Sequence, residues 1–96
     1  MIYLEERHLN EVRKILSSYP YTFYAFGSRT KRTHKKLSDL DICYKDAIPT
    51  LTVAEIREKF DESSLPFKVD LVDFNHASPE FQKAIENDLV KISTEH

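Results

Sequence analysis

One glycine serves all 96 residues of the chain, and it opens the stretch GSRTKRTHKKLSDLD at positions 27–41. Glycine takes up left-handed backbone without strain and lets another group approach the main chain closely. The one permissive position is therefore spent at Gly27. The same fifteen residues carry five of the fourteen Lys and Arg residues and end in an aspartate pair one residue apart. Arg29, Lys31, Arg32, Lys35 and Lys36 have no acid among them, while the rest of the chain holds nine basic and sixteen acidic residues. This is an acidic chain, of net charge −2, with one basic loop. That balance argues against a general nucleic-acid binder.

The pattern around this stretch alternates helix and strand. LEERHLNEVRKILSSY places Leu4, Val12, Ile15, Leu16 and Tyr19 near helical spacing, and Pro20 closes it. YTFYAF (21–26) is a short aromatic strand that stops at Gly27, and DLDICY (39–44) is a second strand. PTLTVAEIREKFDESS is a helix with Thr52 and Glu55 in capping-box spacing and Val53, Ile56 and Phe60 on one side. FKVDLVDF (67–74) is a third strand after Pro66. Ser78 and Pro79 then suit the cap and first position of a last helix to about Asn87. LVKI (89–92) has the make-up of a short extra strand. The expected architecture is α/β in composition, an α+β layout with a small mixed sheet and helices packed on it, as a single domain over 1–96. No run of about 18 apolar residues is present to span a membrane, and MIYLEERHLNEV is neither a signal nor a transit peptide. A lone cysteine, Cys43, excludes an internal disulfide and agrees with a reducing, cytoplasmic setting.

Strand alternation gives the aspartates meaning. Asp39 and Asp41 point to one face while Leu40 and Ile42 point to the other. Two neighbouring carboxylates repel unless a cation lies between them, and hard oxygen ligands suit Mg²⁺. A bare pair of this kind also occurs as two solvated acids at the start of a strand. The upstream half adds a second feature. Gly27 ends a strand where backbone N–H groups and a helical turn can face a phosphate, Ser28 adds a hydroxyl, and Arg29 and Lys31 add charge. Asp70, mid-strand in KVDLVDF, joins Asp39 and Asp41 on one face if the third strand lies beside the second. Three carboxylates then suit a two-metal clamp for in-line phosphoryl or nucleotidyl transfer. Asp73 has the opposite parity and reads as structural or solvated, with Asp73 in place of Asp70 as the competing assignment. His8, His34, His76 and His96 show no zinc spacing. Cys43 shares the parity of Asp41 and reads as a small packed thiol.

GS in FGSR, ten residues and the DLD of SDLD, then the acid-bearing strand KVDLVDF and the closing IENDLVKI, resemble the nucleotidyltransferase superfamily related to DNA polymerase β. Length and layout are similar to its minimal nucleotidyltransferases, the partners of HEPN-domain proteins in prokaryotic toxin–antitoxin pairs. The resemblance implies a palm-like nucleotidyltransferase fold, two Mg²⁺ ions on Asp39, Asp41 and Asp70, and β/γ-phosphates cradled by Gly27 and Ser28 with Arg29 assisting. It implies ATP as donor, AMP transfer to a hydroxyl such as a HEPN tyrosine, and a hetero-oligomer acting as antitoxin. One departure stands out: many relatives carry a second loop glycine where this chain has Arg32. Two other functions remain open, a non-catalytic antitoxin that occludes its partner and transfer to a small molecule. Phe67, Phe74 and Phe81 read either as core or as a partner surface.

Overall fold

The computed structural model describes residues 1–31 and 38–94; Arg32, where the glycine departure falls, and His34, Lys35, Lys36 and His96 lie outside the described residues. In chain order these form α1 (Glu6–Leu16), β1 (Phe23–Phe26), a 3₁₀ turn (Gly27–Thr30), β2 (Leu40–Tyr44) and α2 (Thr50–Asp61). Next come β3 (Val69–Asp73), a 3₁₀ turn (Phe74–His76), α3 (Pro79–Ile85), a third 3₁₀ turn (Glu86–Asp88) and β4 (Val90–Ile92). The strands make one sheet in the order β3-β2-β1-β4. β1 runs antiparallel to both β2 and β4, and β2 runs parallel to β3. The parallel pair needs a long crossover, which α2 supplies. The expected mixed sheet with helices is present, and LVKI does contribute its strand.

Period-two alternation splits the sheet into two faces. Phe23 and Ala25 of β1, Leu40, Ile42 and Tyr44 of β2, Leu71 of β3 and Ile92 of β4 point to the face covered by α1 and α2. There they meet Val12 and Leu16 of α1 and Val53, Ile56 and Phe60 of α2, the apolar positions that helical spacing singles out. Val12, Leu16, Phe23, Leu40, Ile42 and Ile56 are fully buried. Each such side chain contributes about 1.5–3 kcal/mol relative to exposure, so this face holds most of the fold's hydrophobic free energy. The other face carries a smaller cluster of Phe26, Cys43 and Ile85, flanked by Tyr24, Val72, Phe74 and Leu89. Among the described residues, only the seven-residue α3 and the turn after it lie over this side. Its cover is incomplete, and polar groups on it stay within reach of solvent.

Two local details differ from the sequence reading. α2 starts at Thr50 with Pro49 in the cap position and no side-chain cap, so Thr52 falls inside the first turn and the expected capping box does not form. Pro49 initiates the helix instead. Its φ of −55° is already helical, and its carbonyl accepts the first helical bond from the Val53 N–H at 3.0 Å. The last helix is shorter than expected and tightens into a 3₁₀ turn at Glu86. Its start is as read: the Ser78 hydroxyl accepts from the Phe81 N–H, and Pro79 follows. No helix among the described residues is long and apolar enough to cross a membrane.

Candidate active site

The antiparallel and parallel pairings together bring three distant segments to one end of the sheet. β1 ends where β2 begins, because the two run in opposite directions; β3 begins there too, because it runs with β2. The register is Phe26 beside Asp41 and Asp41 beside Asp70. Residues at matching register share a face, so an aromatic ring and two carboxylates form a row on the incompletely covered side. Asp39 lies just before β2, exposed, with the same parity as Asp41. Asp73 has the other parity, and its carboxylate is engaged elsewhere. It caps the following turn by accepting from the Asn75 N–H at 3.1 Å and pairs with His76 Nδ1 at 2.6 Å.

Gly27 sits directly beyond this row. Its φ is +81°, the left-handed region, and a Cβ placed on it would stand 2.6 Å from Asp41 Oδ2. Two independent constraints therefore exclude a side chain: backbone conformation and contact with a site carboxylate. The turn that follows is held by the Thr30 hydroxyl donating to the Gly27 carbonyl at 2.8 Å and by the Lys31 N–H donating to the Ser28 carbonyl at 3.1 Å. Ser28 is half-buried at its start. Lys31 forms an ion pair with Asp88 at 3.0 Å, which ties the turn to the segment after α3. Arg29, read from the sequence as a cation beside the phosphates, has its guanidinium inside the protein, and the residue is only 5% exposed. Its Nε and Nη2 donate to the Ser38 carbonyl at 3.2 and 3.0 Å, and Nη1 donates to the Tyr3 carbonyl at 3.1 Å.

Charge in the row is unbalanced. Burial raises the Asp41 carboxyl above the ordinary carboxylate range, and the negative charges of Asp70 and Asp39 raise it further. Among the described residues, the acid most affected by its neighbours is thus the central one. Asp70 has a loose ion pair with Lys68 at 3.8 Å, with both side chains well solvated. Cys43, two residues after Asp41 on the same face, is fully buried, and burial pushes its thiol up to about 11. It is a packed thiol.

Carboxylates alone, mutually repelling and partly solvated, are the donor set a hard divalent cation such as Mg²⁺ takes up, with remaining positions left for water and phosphate. Asp41 and Asp70 stand side by side, with Asp39 near enough to raise the Asp41 carboxyl electrostatically. Among the described residues, no three His, Cys, Asp or Glu side chains converge tightly enough to enclose an ion. The donor chemistry therefore fits, and the arrangement is an open one.

A cleft of about 570 Å³ opens beside the two carboxylates on the β3 side. Phe26, Asp41, Asp70, Arg57, Lys68 and Phe81 line it. Phe81 of α3 meets Phe26 edge to face, with ring centroids 5.8 Å apart, and remains 37% exposed. Arg57 of α2 donates to the Leu71 carbonyl at 2.9 Å, which pins a cation beside β3. Of the three phenylalanines weighed as surface or core, Phe67 is buried and Phe74 half-buried against the smaller cluster, leaving Phe81 as the exposed one. Phe26, Arg57 and Lys68 were not legible as site residues. The only available signals were the shared parity of Lys68 with Asp70 and the position of Phe26 immediately before Gly27.

Residues 10–95 match the family model described as "Polymerase beta, Nucleotidyltransferase". A Haemophilus influenzae protein named "Probable protein adenylyltransferase MntA" is 40% identical over 74 residues, which cover 75% of this chain and 65% of that relative. The matched region thus spans less than two thirds of the relative's length. Among solved structures, a chain in the crystal structure of a toxin–antitoxin with AMP-PNP aligns with a TM-score of 0.68 and 28% identity, covering 88% of this chain and 72% of that one.

Two outcomes are expected. Gly27→Ala should lose about 1–2 kcal/mol from backbone strain alone, read by chemical denaturation, and should displace Asp41; unchanged stability would contradict the left-handed backbone at this position. Asp41→Asn should raise the melting temperature of the metal-free protein at neutral pH. The sign follows from the raised carboxyl: ionisation of Asp41 is harder in the folded state, so its stabilising contribution is present at low pH and lost as pH rises through the folded value. The gain from Asn should therefore shrink as pH falls through the carboxylate range, measured by thermal melts across pH.

Proposed function

This chain belongs to the polymerase beta nucleotidyltransferase family, and from that premise we propose that it is a Mg²⁺-dependent nucleotidyltransferase moving AMP from ATP to a hydroxyl of a protein partner. The observation that carries the reading is the row Asp41–Asp70 with Gly27 beside it, an arrangement that supports a phosphate seat next to paired carboxylates. The H. influenzae relative's name, probable protein adenylyltransferase, supports a protein acceptor. The toxin–antitoxin neighbour with AMP-PNP supports an adenine nucleotide and a toxin–antitoxin setting. The finer proposal is a tyrosine of a HEPN-type toxin as acceptor, with this chain as antitoxin in a hetero-oligomer.

The roles follow the sheet order. Gly27 and Ser28 lie on the β1 side and would offer backbone N–H groups and a hydroxyl to the β- and γ-phosphates. Asp39, Asp41 and Asp70 would hold two Mg²⁺ ions, whose chemistry when bound is to neutralise phosphate charge and stabilise the attacking and leaving oxygens together. On the β3 side Asp70 faces the cleft, where an acceptor hydroxyl can approach opposite to the phosphates. The acceptor oxygen bonds to the α-phosphorus, the bond from that phosphorus to the bridging oxygen breaks, and pyrophosphate leaves. Asp70 would receive the hydroxyl proton. Most of the rate would come from placement and charge, with little covalent work for the protein.

The test is to incubate the chain and its HEPN partner with ATP labelled in the α-phosphate and Mg²⁺. Label on a partner tyrosine, lost in Asp39→Asn, Asp41→Asn and Asp70→Asn, is expected. An unlabelled partner that is still inhibited would overturn transfer and leave neutralisation by complex formation alone. Phe81→Ala should raise the KM for the protein acceptor by roughly tenfold, as loss of an aromatic contact does, with the KM for ATP nearly unchanged. Equal effects on both would place Phe81 outside acceptor binding.

A further inference from the structure

We propose that Arg29 and the Tyr3 backbone form a positioning clamp that fixes the phosphate seat against the start of the carboxylate strands. The side chain of Arg29 reaches inward from the turn that Gly27 opens. Two of its nitrogens converge on the carbonyl of Ser38, the residue before Asp39, and the third donates to Tyr3. Tyr3 answers: its N–H donates to the Arg29 carbonyl at 2.6 Å, so two segments are joined by bonds in both directions. The guanidinium carbon lies 4.9 Å from the ring centroid of Phe67, which precedes β3. One step on, the Leu40 N–H donates to the Lys68 carbonyl at 2.9 Å and links the starts of β2 and β3. A single side chain thus touches the turn, the residues ahead of Asp39 and those ahead of Asp70.

The chemistry requires arginine. A planar fork can serve two carbonyls in different directions and stack on a ring at once, whereas a lysine ammonium is a point donor on a flexible stem. Tyr3 takes part through main-chain atoms, and it lies outside residues 10–95, the span that matches the family model. This chain therefore builds part of its site from a segment beyond that match.

The kinetic part of the test rests on the transfer reading; the structural part does not. Hydrogen exchange at the Leu40 amide and transfer kinetics would be compared in wild type, Arg29→Lys, Arg29→Gln and Tyr3→Pro, the last removing the N–H without altering a group near the phosphates. In the nucleotide-free protein, Leu40 protection should fall in all three variants. In the transfer assay kcat should fall by roughly tenfold to a hundredfold, as misplacement of reacting groups does, while the KM for ATP changes little. Arg29→Lys should not rescue. A KM effect that Lys restores, with Leu40 protection intact, would make Arg29 a phosphate ligand and overturn the clamp. Unchanged exchange and rate in Tyr3→Pro would overturn it as well. If the wild-type protein transfers nothing, Leu40 exchange and the affinity for Mg²⁺-AMP-PNP decide between the same two outcomes.

Discussion

Asp41 and Asp70 lie beside each other on parallel strands, an arrangement that raises the free energy of the folded chain. For charges on neighbouring strands at a partly solvated surface such a repulsion is on the order of 1 kcal/mol. It persists because the same strands are locked from behind. A slip of one residue would turn Leu40, Ile42 and Leu71 away from α1 and α2 and expose them. Those three side chains contribute about 1.5–3 kcal/mol each, so the apolar face wins and dictates where the acids stand. The hydrophobic core is thus the agent that holds the carboxylates together, and the site's poor electrostatics are a consequence of good packing on the opposite side.

Sheet order then sets the two flanks of the carboxylate row apart. The turn after β1 lies on one flank of Asp41 and the cleft lies on the other, along β3. On the proposed transfer reading, donor phosphates and acceptor hydroxyl would approach the same carboxylates from these two sides, as an in-line displacement needs. Among the described residues, α3 and the turn after it give this side a thin cover. A longer helix there would complete the smaller cluster and bury the row.

Much of this was legible from alternation alone. Parity separated Asp70 from Asp73, and the structure has Asp70 in the row while Asp73 caps a turn. Helical spacing found Val53, Ile56 and Phe60, all buried. Arg29 was the opposite case. Within a run of cations it looks like one more solvated charge; its burial depends on Tyr3, Ser38 and Phe67, which lie far from it along the chain and carry no local mark of the contact. The start of α2 was misjudged for a related reason. Thr52 and Glu55 have the spacing of a cap, but Pro49 had already set the helical φ upstream. For Phe81 the simpler reading was core packing, and the shortness of α3 leaves it exposed instead.

Cys43 gives the molecule a built-in reporter. It is the chain's one thiol, buried behind Asp41, and it holds its proton far above neutral pH. A maleimide or disulfide reagent can reach it only when the sheet parts from the α3 side, so the labelling rate measures that opening. Without any introduced probe, the breathing of the carboxylate end can be timed directly, and whatever seals that end will slow the clock.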